Sequence, residues 1–174
     1  MPKLTIVAKN FRALEYLEWS QEQLPGEEML VEFRHASWLE EENRAETLRF
    51  LDKHGMTDVV VDAPKTGGKN VLPTVVAATS ETAYVRFHGR NAATWNKRTG
   101  SAAERFDYLY TDDELREFIP AVRSLASDAD EAYVMFNNNG RSRAAGNGGT
   151  ERDSWLSQAP TNALELKEIL TGGS

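Results

Sequence analysis

The 174-residue sequence contains no cysteine and only three histidines. The absence of cysteine excludes disulfides, thiolate nucleophiles and zinc or iron–sulfur sites held by cysteine. Three histidines are too few to favour a His-rich trinuclear metal centre. No apolar run approaches the roughly 20 residues that cross a bilayer, and the apolar run after Met1 is too short for a signal peptide. We therefore expect a cytoplasmic protein that makes no membrane contact.

An excess of basic residues is also lacking. The chain has 20 Lys and Arg against 27 Asp and Glu, which gives a formal net charge of -7. Contact with phosphate backbones needs a surplus of cations on one face, so the balance argues against a general nucleic-acid binder, although it leaves room for a local basic patch. A hydrophobic share of 40% and a charged share of 27% are typical of one globular domain with its own core.

Apolar strand-like segments alternate with helical segments along the chain. Helix starts are indicated by Asn10 as an N-cap and by capping boxes at Ser37–Glu40 and Thr111–Glu114. The alternation predicts βαβ units and a parallel sheet. The predicted strands are residues 4–8, 29–33, 58–62, 82–88 and 131–137.

Two of these strands share the frame A-Y-V-x-F, at residues 83–87 and 132–136. The frame is typical of successive strands in one barrel, and it places Asn137 level with His88. Chance recurrence of common strand residues explains it equally well. The segment from Asn138 to Pro160 is rich in Gly, Ser, Asn and Arg, which predicts a mobile loop, and a closing helix follows over residues 162–170.

Five strings in order resemble the YecE-like family, a domain of unknown function with a TIM-barrel fold. The resemblance runs from about Asn10 to the C-terminus. The strings are E-F-R-H-A-S-W at residues 32–38, Y-V-R-F-H-G-R at 84–90 with Trp95 after it, F-D-Y-L-Y at 106–110, F-N-N at 136–138 and Q-A-P-T-N-A-L at 158–164.

The resemblance implies an α/β protein with an incomplete parallel β/α barrel. A whole TIM barrel takes about 250 residues, so residues 1–174 are interpreted as a single partial barrel domain. About five of its eight strands are present and the N-terminal units are missing. A flexible inserted loop is expected at about 138–158. Open strand edges then predict self-association, or a truncated chain with no independent activity.

The chemistry of a TIM barrel lies at the carboxyl ends of its strands. Strand alternation puts Glu32 and Arg34 on one face, and Arg86 and His88 on one face. We expect these side chains to converge with two further residues at the ends of their own strands, Asp62 and Asn137. A structural ion network involving Glu32 and Arg86 would explain their placement as well. For His88 the functional role is favoured, and a hydrogen-bonded core histidine is the alternative.

The expected roles follow from side-chain chemistry. His88 would transfer a proton, while Glu32 and Asp62 would orient it or bind a metal. Metal ligation is only weakly indicated, because no tight ligand spacing occurs, and the cofactor stays unknown. Tyr108 and Tyr110 are interpreted as packing residues. Expected substrate-binding residues are Arg34, Arg86, Arg90, Asn91, Asn137, Asn138, Trp38 and Trp95.

Three functions remain open. The first is an enzyme that acts on a phosphorylated or sugar-containing substrate, with nucleic acid included among the anionic ligands. The second is a non-catalytic protein that binds an anionic ligand. The third is a truncated chain without independent activity. The family resemblance carries no established activity, and fold alone supplies none.

Overall fold

The computed structural model describes residues 8–66, 71–97, 102–143 and 155–172. Most of the described helices and strands alternate, as the sequence predicts. Short 3-10 helices lie at Ala36–Trp38 and Ala102–Phe106. The remaining elements are α1 (Phe11–Glu22), β1 (Leu30–Val31), α2 (Glu41–Lys53), β2 (Thr57–Asp62), β3 (Thr82–Phe87), α3 (Asp112–Asp128), β4 (Glu131–Phe136), β5 (Arg141–Arg143), β6 (Trp155–Ser157) and α4 (Gln158–Thr171).

Four strands form a parallel sheet in the order β1-β2-β3-β4. In the first pair Leu30 lies opposite Thr57 and Val31 opposite Asp58. All six residues of β2 are buried, as expected for a parallel strand covered on both faces. The predicted α/β class with a parallel sheet is therefore confirmed, whereas closure into a TIM-type barrel stays a prediction.

Two of the three predicted helix starts are confirmed. The Asn10 side chain accepts a hydrogen bond from the Ala13 N–H at 3.0 Å, which satisfies a free donor in the first turn of α1. Before α3, the Thr111 N–H donates to Glu114 Oε2 at 2.9 Å and the Glu114 N–H donates to Thr111 Oγ at 3.3 Å. This reciprocal pair is a capping box.

The capping box predicted at Ser37–Glu40 is wrong. Helix α2 begins at Glu41, and Glu40 precedes it without a side-chain cap bond. Ser37 instead lies in a 3-10 turn that is capped by His35, whose side chain accepts the Ser37 N–H at 3.2 Å. Trp38 is buried in the core, and the acidic first turn of α2 supplies the favourable charge at the helix start.

The region after β4 is more ordered than the sequence suggests. Strands β5 and β6 pair antiparallel, with Ser142 opposite Leu156, and α4 begins at Gln158 rather than at residue 162. Residues 141–143 and 155–160 therefore lie in strands or a helix, residues 144–154 lie outside the described residues, and the flexibility of the inserted segment stays a prediction. Residues 4–7 of the first predicted strand also lie outside them.

The chain divides into two compact units. The first comprises Met1–Val61, Thr66–Val85 and Val122–Tyr133, and the second comprises Asp62–Lys65, Arg86–Ala121 and Val134–Ser174. A buried cluster in the first unit includes Phe33, Trp38, Leu39, Leu51 and Met56. The prediction of a single domain stays a prediction. No helix in the described part of the chain is both long and apolar enough to cross a bilayer.

The core of the second unit is built around Phe87, which is completely buried. Its ring stacks on Phe136 with centroids 4.7 Å apart, and the rings of Tyr110 and Phe118 meet it edge-on at 5.3 and 4.7 Å. Aromatic pairs of this geometry contribute roughly 0.5–1.5 kcal/mol beyond the burial of their surface. This packing fixes the end of β3, where the candidate site begins.

Candidate functional site

A tight turn follows β3 in the second unit. The His88 N–H donates to the Asp62 carbonyl at 2.9 Å, and the Gly89 N–H donates to the Tyr110 hydroxyl at 2.9 Å. Gly89 has a φ of +85°, and a Cβ there would lie 2.7 Å from Tyr108 Cβ. Glycine alone fits both the backbone angle and the space. The turn therefore holds His88 in a fixed position at the strand end.

The side chains of His88 and Asn137 meet at the ends of neighbouring strands. Asn137 Nδ2 lies 3.1 Å from His88 Nδ1, and the Asn137 N–H donates to the Phe87 carbonyl at 2.7 Å. Both observations confirm the alignment that the shared A-Y-V-x-F frame predicts. His88 is only 1% exposed. Arg86 lies two residues before His88 in the sequence, and strand alternation puts both side chains on one face of the sheet.

Aromatic rings surround His88. The centroid of Phe106 lies 5.5 Å from the His88 ring, and that of Trp95 lies 6.2 Å from it. Trp95 is buried and meets Phe106 edge-on at 6.0 Å. Asn91, expected to bind substrate, donates to the carbonyls of Glu104 and Asp107 at 3.2 and 3.0 Å. Asn91 thus holds the end of the second 3-10 helix, which carries Phe106, and Trp95 forms a wall beside His88.

Asp62 takes part in a different cluster from His88. Its fully buried carboxylate accepts the Tyr110 hydroxyl at 2.7 Å and Arg90 Nε at 3.0 Å. The parallel hydrogen bond from the His88 N–H to the Asp62 carbonyl puts Asp62 level with Phe87. Asp62 therefore lies on the face of Phe87, opposite to the side chain of His88, and the expected convergence of these two side chains is wrong.

Arg90 is held by several carboxylates. Besides Asp62, its guanidinium contacts Glu114 at 3.4 Å and Glu117 at 3.2 Å. It also lies 5.8 Å from the centroid of the Tyr110 ring, within cation–π range. Such a guanidinium already has its bidentate partners, so the geometry gives the expected substrate-binding role of Arg90 no support.

This cluster shifts the acidities of its members. Burial, followed by the charge and hydrogen bond of Asp62, raises the pKa of the Tyr110 phenol. Burial lowers the pKa of Arg90, but the hydrogen bond and charge of Asp62 and the hydrogen bond to Glu117 outweigh it, so the net shift of the pKa is upward. Burial and the 2.6 Å hydrogen bond to Glu114 raise the pKa of Tyr108 to about 12. The cluster therefore makes both phenols weaker acids and stabilises the charged form of Arg90.

Three buried amides hold the segment that follows the second 3-10 helix. Asn162 accepts the Tyr110 N–H at 3.0 Å and donates to the Tyr110 carbonyl at 2.9 Å. Asn138 donates to the Tyr108 carbonyl at 2.8 Å and to Asn162 at 2.7 Å. Gln158 accepts the Tyr108 N–H at 3.0 Å. Asn138 therefore has a positioning role in addition to the expected binding role.

Tyr110, Glu114, Gln158 and Asn162 are the residues that sequence reasoning missed as parts of this site. The strings that carry the family resemblance contain Tyr110, Gln158 and Asn162. Their presence in these strings was the sequence signal that could have indicated a role in the site. The interpretation of Tyr110 as a packing residue is confirmed, since it is 2% exposed. Its hydroxyl has the additional task of linking Asp62 to the Gly89 turn.

Three other expected site residues lie in the first unit. Arg34 forms an ion pair with Glu32 at 2.6 Å, in keeping with the prediction that the two share a face. Trp38 is buried and stacks on Phe33 with centroids 4.4 Å apart. These residues line a cavity of about 410 Å³ between α1 and the segment after β1. Within the described residues of the chain, no three His, Asp or Glu side chains group as metal ligands would.

The strand-end turn, the buried amides and the parallel sheet define an α/β protein whose polar side chains gather where strands end. The chain belongs to the family described as protein of unknown function DUF72, whose model matches residues 4–150. The YecE-like name refers to the same family. The function of this family is not established, and the similarities show no specific activity.

Similar proteins support this assignment. The chain is 36% identical over 137 residues to UPF0759 protein YunF of Bacillus subtilis (strain 168), covering 76% of this chain and 48% of YunF. A DUF72 family protein from Thermotoga maritima MSB8 is 38% identical with a TM-score of 0.74, over 94% of this chain and 54% of that one. A DUF72 family protein from Enterococcus faecalis V583 is 27% identical with a TM-score of 0.77, over 94% and 55%. The chain thus spans about half the length of these relatives.

Proposed function

We propose that this DUF72 chain is part of an enzyme that acts on a phosphorylated or sugar-containing substrate, with His88 as the group that transfers a proton. The observation that carries the proposal is the 3.1 Å contact between Asn137 Nδ2 and His88 Nδ1 at the ends of neighbouring parallel strands. Strand ends of parallel α/β folds are where catalytic residues collect. An imidazole with one nitrogen fixed by an amide presents the other in a defined state.

The remaining residues take complementary roles in this proposal. Arg86 supplies the cation that binds an anionic group, since its side chain lies on the face of His88. Asp62 acts as a positioning residue, because its carbonyl accepts the His88 N–H and its carboxylate holds Tyr110. The expected roles of Glu32 in catalysis, of a divalent metal and of a nucleic-acid substrate stay predictions, as does the cytoplasmic location.

A second candidate function is favoured by the burial of His88. A side chain that is 1% exposed and enclosed by Phe106 and Trp95 has restricted access to a substrate, as a core histidine would have. A non-catalytic protein could bind an anionic ligand through Arg86 and Asn137 without reaction. Such a protein would gain thermal stability from its ligand without turning it over.

A panel of phosphoesters and glycosides, assayed with and without added divalent metal, tests the enzymatic proposal. We expect turnover by the wild type and a loss of roughly 100-fold or more in His88→Ala, the usual contribution of a general acid or base. His54→Ala is the matched control, because His54 lies after α2 in the first unit. Full activity of His88→Ala would remove the proposed role, and stabilisation without turnover would favour the binding protein.

We also propose that the sheet is part of a parallel β/α barrel of TIM type and corresponds to its later strands. Support comes from the parallel strand order β1-β2-β3-β4 and from the two relatives, which match over about half of their own length, as part of a larger parallel β/α fold would. In the described part of the chain β1 and β4 are the outer strands of the sheet, and an outer strand is where a further strand can pair, so the proposal includes self-association. Size-exclusion chromatography and thermal unfolding of the chain test the self-association. A defined dimer with a cooperative transition supports self-association, whereas aggregation without a transition favours a chain without independent activity.

A further inference from the structure

The cavity of the first unit is lined mostly by residues to which the proposed function assigns no role. Its volume is about 410 Å³, which falls within the range of small-molecule sites. Its lining is mostly apolar and aromatic, with Leu17 and Tyr16 from α1 on one side and Phe33 and Trp38 on the other. Tyr16 is 56% exposed, so a large part of its surface is available to a ligand that enters.

Few polar groups line this cavity, and most already have partners. Asn10 caps α1 through its oxygen and donates to the Ala8 carbonyl through its nitrogen. Glu32 and Arg34 form an ion pair. Arg12 also lines the cavity and has no hydrogen-bond or ion-pair partner within the residues that the structure describes. Two arginines against one glutamate leave one net positive charge.

We propose that this cavity binds a compound with a flat aromatic ring and a single anionic group. The ring contacts Tyr16, Leu17 and the neighbouring apolar surface, and the anionic group is bound by Arg12 with support from Arg34. A sugar is a poor match, because its hydroxyls need several donors and acceptors that the lining does not offer. A polyphosphate is a poor match as well, because the net charge of the lining balances one anionic group.

The inference does not depend on the proposed enzymatic function. The cavity belongs to the first unit, whereas His88 and Asn137 belong to the second. Binding to the cavity therefore depends on residues of the first unit, whereas turnover of substrate depends on His88. Loss of turnover in His88→Ala together with unchanged binding of an aromatic anion would separate the two proposals.

Calorimetric titration of the 174-residue chain with four probes tests the inference. The probes are 1-naphthyl phosphate, 1-naphthoate, 2-naphthol and inorganic phosphate. We expect both aromatic anions to bind at least roughly tenfold more tightly than the neutral ring or the free anion, since a charge-assisted hydrogen bond is worth about that factor. Tighter binding of 1-naphthyl phosphate than of 1-naphthoate would identify phosphate as the preferred anion, and the reverse order would identify carboxylate.

Substitutions at two exposed residues locate the binding site. Arg12→Ala should weaken the binding of 1-naphthoate roughly tenfold and leave that of 2-naphthol unchanged. Tyr16→Ala should weaken the binding of both, and Tyr16→Phe should restore it, because the ring makes the contact. Arg49→Ala, an exposed change on α2, is the control. The inference is overturned if no aromatic anion binds, if free phosphate binds as tightly as 1-naphthyl phosphate, or if Arg12→Ala and Tyr16→Ala bind like the wild type.

Discussion

The side-chain nitrogen of Asn137 lies 3.1 Å from Nδ1 of His88, and the two residues directly follow neighbouring strands of the sheet. An amide nitrogen only donates hydrogen bonds, so Nδ1 of His88 is the acceptor. The neutral imidazole then carries its hydrogen on Nε2. The pair therefore determines which ring nitrogen is a donor at the strand end.

The tautomer of His88 is the first testable consequence. We expect ring ¹⁵N spectra to show that the neutral imidazole of His88 is in the Nε2–H form. In Asn137→Ala the ring should shift toward a mixture of both tautomers. The reason is that the variant lacks the donor that keeps Nδ1 unprotonated. Asn139→Ala, an exposed change two residues later, should leave the ring unchanged. An Nδ1–H ring in the wild type would contradict the assignment.

The alignment of His88 with Asn137 was predictable from the sequence. Side chains alternate along a strand, so two strands with the frame A-Y-V-x-F present the same face when they pair in register. Phe87 and Phe136 occupy the last position of the two frames, and their rings stack with centroids 4.7 Å apart. No comparable pattern pointed to the partners of Asp62, because Tyr110 and Arg90 lie on segments in which apolar residues do not recur periodically.

Gly89 supports the turn that carries His88. Replacement by alanine should destabilise the protein, because a non-glycine residue at a φ of +85° is strained and its Cβ would lie 2.7 Å from Tyr108 Cβ. Gly26→Ala is a matched control, since Gly26 has a φ of +84° with nothing within 4 Å of the added Cβ. We expect a cost of about 1–2 kcal/mol at Gly26 from the backbone angle alone.

At Gly89 the clash adds about 1–3 kcal/mol to the same backbone cost. Urea denaturation of the two variants measures the difference in the free energy of unfolding. Equal losses at the two glycines would show that the close approach to Tyr108 is relieved without energy cost.

Arg90 compensates the buried charge of Asp62. Arg90→Met should lower the free energy of unfolding by about 3 kcal/mol, because it leaves the Asp62 carboxylate buried and without its cation. The double variant Arg90→Met/Asp62→Asn should recover part of that loss. Arg116→Met, an exposed change on α3, should have little effect. A double variant that is no more stable than Arg90→Met alone would contradict this explanation.

The buried carboxyl group of Asp58 should make the protein less stable as pH rises. Neither carboxylate oxygen has a hydrogen-bond partner in the described part of the chain, and burial raises the pKa of Asp58 to about 7 from an ordinary value of 3.8. Between these two values the folded protein keeps a proton that the unfolded chain releases. The contribution of Asp58 to stability therefore falls as pH rises from about 4 to about 7, and it is constant above that range.

Comparison with Asp58→Asn isolates this contribution. The difference in the free energy of unfolding between the wild type and Asp58→Asn should change by up to about 4 kcal/mol across that range, and Asp52→Asn on the exposed face of α2 should show no such change. Chemical denaturation at several pH values provides the measurement. Parallel stability profiles for the wild type and Asp58→Asn would mean that Asp58 titrates alike in both states.

Long-range contacts set the limit of sequence reasoning for this chain. The bonds between Asn162 and Tyr110 join residues 52 positions apart, and no local period reveals such a pairing. Local signals served well at Asn10 and Thr111, where a cap is completed within three residues. The same signal was wrong at Ser37, because the burial of Trp38 in the core placed the preceding residues in a separate turn.

A double-mutant cycle on His88 and Asn137 tests the central claim most directly. Single-turnover rates would be measured with the best substrate of the phosphoester and glycoside panel for the wild type, His88→Ala, Asn137→Ala and the double variant. If the two residues act as a unit, the double variant should be no slower than His88→Ala, since Asn137 acts only through the ring. A wild-type rate in His88→Ala, or losses that multiply independently in the double variant, would contradict the account.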